Sequence, residues 1–237
     1  MTEVIEPAAE LVAAAELLRG AHRIAILSHV NPDADAIGST LGLTGALESM
    51  GKEVTPALAD EVPVYARFLE GADRVVSSLP PDAHFDVLLI ADAADIQRIG
   101  ALYEANPVLF QTTPILNLDH HGTNPLYGKV NYVVPSASSS SELSFNLLSC
   151  LGAPIGRAVA TSLLFGIFGD TGAFQNGATT PSSMDTAASL IRDGADNQKI
   201  AFQLFERKTF EGAKLWGMVI AGITLDKDRR IVFGYMS

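Results

Sequence analysis

Short, uninterrupted apolar runs alternate along the chain with longer segments of helical period, and several of the runs stop abruptly at acidic or imidazole residues. Residues 24–27, 86–91 and 114–118 are too short for helices and apolar on both faces, which is how buried parallel strands read. Helical period covers residues 7–19, with Pro7 at the start and Gly20 just past the end, and residues 36–50, which stop at Gly51. The first of these helices is expected to pack across the first strand. Residues 53–57 read as a second strand, 64–69 as a brief helix, 74–76 as a short strand, and a helical stretch runs through Ile99 and Tyr103. Residues 130–134 read as a strand, 138–151 as a helix opened by serines, and 158–168 as a helix apolar nearly all round. Further helices fall at 180–191, 197–205 and 210–219, and residues 219–225 and 231–235 flank a turn in a plausible hairpin. The pattern predicts an α/β fold, a doubly wound, mainly parallel sheet with helices on both faces, followed by a helical linker and a short C-terminal hairpin.

The polar residues that end the strands carry the candidate chemistry. The first strand runs into Ser28-His29-Val30-Asn31-Pro32-Asp33-Ala34-Asp35, one imidazole and two carboxylates within seven residues of a stiff strand-to-helix turn. Taken alone, this turn reads equally well as a helix entry, with Asp35 as the cap and Asp33 and His29 on a solvated loop. The strand at 86–91 ends in Asp92, and the strand at 114–118 in Asp119-His120-His121. In a parallel sheet these ends share one edge, where α/β proteins bind ligands. Carboxylates gathered there without a shared cation would repel one another for no gain. The apolar helix at 158–168 delivers Asp170 to its C-terminal end, where the helix dipole is negative, so this carboxylate also calls for a cation or a donor. The serines at 138–141 read first as helix caps and second as phosphate contacts.

Composition narrows the partners. The 237 residues carry a formal net charge of −11, which argues against gripping long nucleic acid through many phosphate contacts but leaves a short anionic substrate bridged by cations. The single cysteine, Cys150, allows no internal disulfide. With no apolar run of membrane-spanning length and no basic, apolar leader, the chain reads as cytoplasmic.

In this order and at these strand ends, His29-x-x-x-Asp33-x-Asp35, Asp92, Asp119-His120-His121 and Asp170-Thr171-Gly172 resemble the motifs of the DHH phosphoesterase superfamily. The resemblance covers residues 23–181, and the Pro-Asp-Ala-Asp and Asp-Thr-Gly-x-Phe forms are most similar to the nanoRNase and pAp-phosphatase branch, related to RecJ. It implies two Mn²⁺ ions, with Mg²⁺ or Co²⁺ as alternatives. One would be held by His29, Asp33 and Asp92 and the other by Asp35, Asp92, His120 and Asp170, with Asp92 shared. Together they would activate water for in-line displacement at phosphorus. Asp119 would orient the histidine pair and His121 would meet the scissile phosphate or supply a proton to the leaving oxygen. Arg98, Ser139 and Ser140 are candidates for substrate contact, although Arg98 reads equally well as a surface arginine.

The substrates so implied are short single-stranded RNA or DNA oligonucleotides, dinucleotides such as pApA, and pAp. No membrane partner is expected, and a homodimer is compatible with the resemblance. The expected division is a catalytic domain at 1–185, a helical linker at 186–212, and at 213–237 the start of a truncated second domain resembling the DHHA1 module, whose Gly-Gly-Gly-His type motif is absent here. A family II inorganic pyrophosphatase and a non-catalytic nucleotide-binding module are the alternatives.

Overall fold

In the computed structural model, which describes residues 8–80, 83–207 and 209–234, β1 (Arg23–Leu27), β2 (Glu53–Ala57), β3 (Val87–Ala91), β4 (Ile115–Asp119) and β5 (Val130–Val133) form one sheet. Its order is β2-β1-β3-β4-β5 and every neighbouring pair is parallel. The chain steps outward from β1 to β2, then returns to β3 on the other side of β1. The winding direction therefore reverses between β1 and β3, and loops leaving the carboxyl ends of those two strands part to form a crevice.

The helices are α1 (Ala9–Gly20), α2 (Ala34–Ser49), α3 (Ala101–Ala105), α4 (Pro107–Thr112), α5 (Ser140–Leu151), α6 (Arg157–Thr171), α7 (Pro181–Arg192), α8 (Asn197–Ala201) and α9 (Phe210–Ala221). Strand alternation divides the apolar residues between two cores. Ile24 and Ile26 of β1 and Leu89 of β3 join Leu18, Ile37, Leu147 and Phe165 on the face covered by α1, α2, α5 and α6. Ala25, Leu27, Leu88 and Ile90 turn to the other face, where Ile99, Leu102 and Phe110 cover them through a thinner layer that includes α3 and α4. This double burial is why the strands read as continuous apolar runs. The predicted doubly wound α/β sheet, with helices on both faces and a small hairpin, is the architecture found.

Local expectations fail where tertiary packing decides. Residues 64–69 form successive turns rather than a helix, with Tyr65 and Phe68 laid against Phe165 at ring separations of 6.1 and 5.7 Å. Of residues 74–76 only Val76 pairs, through a single bridge to Ala57. Helix α1 packs on α5 and β5 rather than across β1, because α2 already lies over β1 and β2. Pro7 and Tyr235, expected to begin a helix and end a strand, lie outside the described residues. The hairpin consists of β6 (Thr224–Asp226) and β7 (Ile231–Phe233), paired antiparallel. Neither α9 nor the hairpin buries a single described residue, and Phe210, Trp216 and Met218 stand exposed. No described helix is long and apolar enough to cross a membrane.

Helix α2 enters the crevice from β1, and it is pressed unusually close to α6. A Cβ added at Gly38 would meet the Ser162 carbonyl oxygen at 2.5 Å and the Gly166 nitrogen at 2.8 Å, both of them backbone atoms that cannot swing aside. Replacing an interior helical glycine with alanine ordinarily gains up to about 1 kcal/mol. Gly38→Ala should instead cost roughly 1–3 kcal/mol through overpacking. A lowered melting temperature in thermal unfolding is the expected result, and a raised one would show that the two helices can separate freely.

Candidate metal centre

Four segments deliver the polar cluster, each for a local reason. After β1, the Asp33 carboxylate caps α2, its Oδ1 accepting from the Asp35 and Ala36 amides at 3.0 and 3.1 Å. The cap is therefore Asp33 and not Asp35, which lies one residue inside the helix and is fully buried. After β3, Asp92 takes φ +58°, a left-handed conformation uncommon for a residue with a side chain, and its amide donates to the Leu118 carbonyl at 3.0 Å. β4 ends at Asp119 itself, followed by the two histidines. Asp170 sits within the last turn of α6 rather than beyond it.

These residues meet around Asp92. The His29 Nε2 lies 3.5 Å from the Asp92 carboxylate and 3.7 Å from that of Asp33. Its Nδ1 donates to the Val30 carbonyl at 2.8 Å, which fixes the ring and turns Nε2 toward the carboxylates. His120 Nε2 is 3.5 Å from Asp92 and 3.2 Å from Asp170. Three sets of donor atoms lie within 4.8 Å of one another: His29, Asp33 and Asp92; Asp35, His120 and Asp170; and Asp92, Asp119, His120 and His121. Mixed imidazole and carboxylate donors converging in this way suit a divalent cation such as Mn²⁺ or Zn²⁺, and the cluster can hold metal.

The electrostatics carry the mark of crowded negative charge. Burial, followed by the neighbouring Asp92 and Asp170 charges, raises the Asp35 carboxyl well above its ordinary range. Burial also raises Asp170, with Asp92 adding to the shift and His120 opposing it. For the imidazoles the signs invert. Burial pulls His29 down, but the Asp33 and Asp92 carboxylates outweigh it and lift the ring to about 10. Burial is likewise overcome at His120, which Asp170 and Asp92 raise to about 11.

Asp35 survives its burial because the N-terminus of α5 points at it. The Ser140 and Ser141 amides donate to its two oxygens at 2.6 and 2.9 Å, using helix-end donors that would otherwise go unpaired. Gly166 gives the carboxylate room, since a Cβ there would stand 2.7 Å from Asp35 Oδ1. Glu142, also buried, closes the start of α5 by accepting from the Ser138 amide and hydroxyl at 2.8 and 2.7 Å and from the Ser182 hydroxyl at 2.5 Å. Nothing in the sequence singled out this use of the α5 terminus beyond the serines and an acidic residue at capping distance.

The structure brings His29, Asp33, Asp35, Asp92, Asp119, His120, His121 and Asp170 together, while the other three candidates play different parts. Ser139 and Ser140 are fully buried. Ser139 caps α5 by accepting from the Glu142 amide at 3.0 Å, and the Ser140 hydroxyl reaches Asp92 at 3.3 Å. Both hydroxyls are thus engaged inside the protein. Arg98 contributes its carbonyl to the Val30 amide at 2.7 Å. Its exposed side chain makes no hydrogen bond or ion pair among the described residues. Asp119 bonds the ring of His121, Nδ1 to Oδ1 at 2.8 Å, but meets His120 only through its backbone amide, also at 2.8 Å. It orients one imidazole of the pair, not both. His121 is the more open ring, with 38 % of its side chain exposed.

Comparison with known proteins agrees with this geometry. The family described as DHH family, N-terminal domain, matches residues 23–167, a span holding every residue of the cluster except Asp170 just beyond it. The chain is 36% identical over 207 residues to the bifunctional oligoribonuclease and PAP phosphatase NrnA of Thermus thermophilus, covering 84% of this chain and 59% of that protein. It is 29% identical over 204 residues to the protein of the same name from Bacillus subtilis, covering 84% and 62%. Among solved structures, an exopolyphosphatase-related protein from Bacteroides fragilis matches with a TM-score of 0.85 at 25% identity, over 96% of this chain and 69% of that one. The chain thus spans about three fifths of the length of the curated relatives it matches.

Two outcomes are expected when Mn²⁺ is titrated into the protein by calorimetry. Without a cation, His29 at about 10 and His120 at about 11 are protonated at pH 7, so binding must expel those protons. On the order of two should be released, and apparent affinity should rise as pH is raised from 7 toward 9. Buffers of different ionisation enthalpy giving the same heat would overturn this. Asp92→Asn, which removes charge while tolerating the left-handed backbone, should weaken binding far more than His121→Ala. Equal losses would mean that His121 belongs among the ligands.

Proposed function

The chain belongs to the DHH family, and from that premise we propose that it is a metal-dependent phosphoesterase that hydrolyses short oligonucleotides, dinucleotides and pAp, in the cytoplasm, to nucleoside monophosphates. One observation carries the reading: Asp92, at the winding reversal of the sheet, has His29 and His120 on either side at 3.5 Å. A carboxylate so placed is suited to being shared between two cations. The names of the Thermus and Bacillus relatives support the substrate class.

In this reading His29, Asp33 and Asp92 hold one Mn²⁺ ion, and Asp35, Asp92, His120 and Asp170 hold a second. Ions bound there supply Lewis acidity toward phosphoryl oxygens and lower the pKa of water. The protein's own residues do the rest. Asp35 and Asp92 are held by the α5 terminus, through amides and the Ser140 hydroxyl, so the two sets of donors keep a fixed relation. His121, partly open to solvent, meets a non-bridging oxygen of the scissile phosphate or donates its proton to the leaving oxygen, with Asp119 fixing the face that it presents.

The chemistry belongs to a catalytic domain, expected at residues 1–185, and the segment 186–212 expected as a linker packs on it, with Ala187, Leu190, Ala195 and Ile200 in the same core. The second unit, expected at residues 213–237, is read as beginning with α9 at Phe210, since neither α9 nor the hairpin buries a described residue. Binding energy from parts of the substrate remote from the phosphorus would come from that unit.

The test is a parallel assay of the chain with Mn²⁺ against pAp, a dinucleotide, a long oligonucleotide and pyrophosphate. Hydrolysis of the first two, abolished by a chelator and restored by Mn²⁺, is the expected result. Preference for pyrophosphate, or no hydrolysis of any nucleotide, would overturn the proposal.

A further inference from the structure

Asn117 is out of place in β4. It interrupts Ile115-Leu116-Asn117-Leu118 and is fully buried in a strand otherwise apolar up to its terminal aspartate. A buried amide is costly unless each of its groups finds a partner. Here it does: Asn117 Nδ2 donates to the Asn124 and Asn131 side-chain oxygens at 2.9 and 3.0 Å, and its Oδ1 accepts from Asn124 at 3.2 Å. The loop between β4 and β5 is folded around these three amides. Asn131 accepts from the Gly128 amide and donates to the Gly128 carbonyl, at 2.9 and 2.8 Å. Gly128 is needed there, because a Cβ would stand 2.9 Å from that of Asn117.

The forward end of this network is the site. Asn124 Nδ2 donates one hydrogen to Asp119 Oδ2 at 2.6 Å and shares the other between Asn117 Oδ1 and the Ala93 carbonyl, at 3.2 and 3.4 Å, while its Oδ1 accepts from the Leu126 amide at 2.8 Å. The orientation of the amide follows from its partners, since only the nitrogen can face a carboxylate and only the oxygen can face an amide N–H. Asp119 is fully buried, and its other oxygen holds the His121 ring and the His120 amide. Ala93 follows Asp92 directly, and the Tyr127 hydroxyl also donates to its carbonyl at 2.8 Å. One side chain therefore touches both the residue that orients His121 and the turn that carries Asp92.

We propose that Asn124 is a positioning residue for hydrolysis, acting through Asp119 to fix the His121 ring and through the Ala93 carbonyl to fix that ring relative to Asp92. The inference rests on the phosphoesterase reading for its catalytic consequence, but not for its geometry. Without Asn124 the second oxygen of Asp119 loses its donor, and the carboxylate can turn away from His121. The amide is read as holding the angle between ring and cluster, which governs the rate of reaction more than the grip on substrate.

The experiment uses the full chain and two variants, Asn124→Asp, which keeps the shape but replaces the donor with a repelling carboxylate, and Asn131→Ala, which loosens the same loop without touching Asp119. The first readout is independent of activity. In ¹⁵N-histidine-labelled protein the His121 Nδ1–H, bonded to Asp119, should give a resonance protected from solvent exchange. It should persist in Asn131→Ala and vanish in Asn124→Asp. The second readout is steady-state hydrolysis of a dinucleotide with Mn²⁺. Asn124→Asp should lower kcat by about 10–100-fold, as losing the support of a metal-site residue commonly does, with KM within about twofold. Added to His121→Ala, it should cost little more, since the residue through which it acts is already gone.

A His121 resonance unchanged in Asn124→Asp, an effect confined to KM, or costs that multiply in the double variant would each overturn the proposal. Should Asn124→Asp not fold, Asn124→Ser carries the same test, one hydroxyl being unable to replace both amide bonds. A wild-type chain that hydrolyses no nucleotide would defeat the phosphoesterase reading, and the imidazole resonance would still decide the role of Asn124.

Discussion

Five carboxylates, Asp33, Asp35, Asp92, Asp119 and Asp170, are drawn to one edge of a parallel sheet, and their mutual repulsion is the constraint that the surrounding structure answers. Three of them, Asp35, Asp92 and Asp119, are almost wholly buried, where unpaired negative charge is costly. The protein meets this with dipoles before ions. The two leading amides of α5 grip Asp35, the first turn of α2 is closed by Asp33, and imidazoles stand between Asp92 and its neighbours. Among the described residues, the full positive charges supplied by side chains inside the cluster are histidine rings, which would lose theirs on coordinating a metal. A cluster of this composition can hold cations from solution.

The fold supplies the edge. Reversal of the winding between β1 and β3 opens a crevice, and the two donors nearest to it, His29 and Asp92, come from the ends of those two strands. Asp35 can meet α5 and Asp170 only if α2 and α6 run nearly in contact. Gly38 and Gly166 permit that approach, the first for the helix backbones and the second for the Asp35 carboxylate itself. Packing between two helices thus sets the spacing between charges that are distant in sequence.

Much of this was legible in the sequence because strands buried on both faces leave an unambiguous trace, and because charge appears where the trace stops. The edge, the sheet class and the eight residues of the cluster followed from that alone or from the resemblance it revealed. Residues 64–69 were misread because their apolar spacing serves aromatic contacts to Phe165 from a chain of turns, which period alone cannot tell from a helix. Ser139 and Ser140 kept two readings for a different reason: a hydroxyl at a helix start looks the same whether it faces a substrate or the protein interior, and here both are buried, with Ser139 as the cap. Asn117 gave a signal, an amide within an apolar strand, whose meaning depends on Asn131, its partner across the ladder in β5, and on Asn124, which lies in a loop with no periodicity to place it.

The two cores that sandwich the sheet differ in kind. One is built by long helices whose residues interlock across several elements; the other is closed by α3 and α4, of five and six residues, together with the 3₁₀ segment Ile96–Ile99. Short helices hold few internal hydrogen bonds and detach at little expense. Amide hydrogen exchange should therefore be asymmetric about the sheet, slow through α2, α5 and α6 and fast through residues 96–112. Opening on that side would leave the carboxylate cradle intact while loosening the support of the segment after Asp92, so suppleness and rigidity would meet at the same edge from opposite faces.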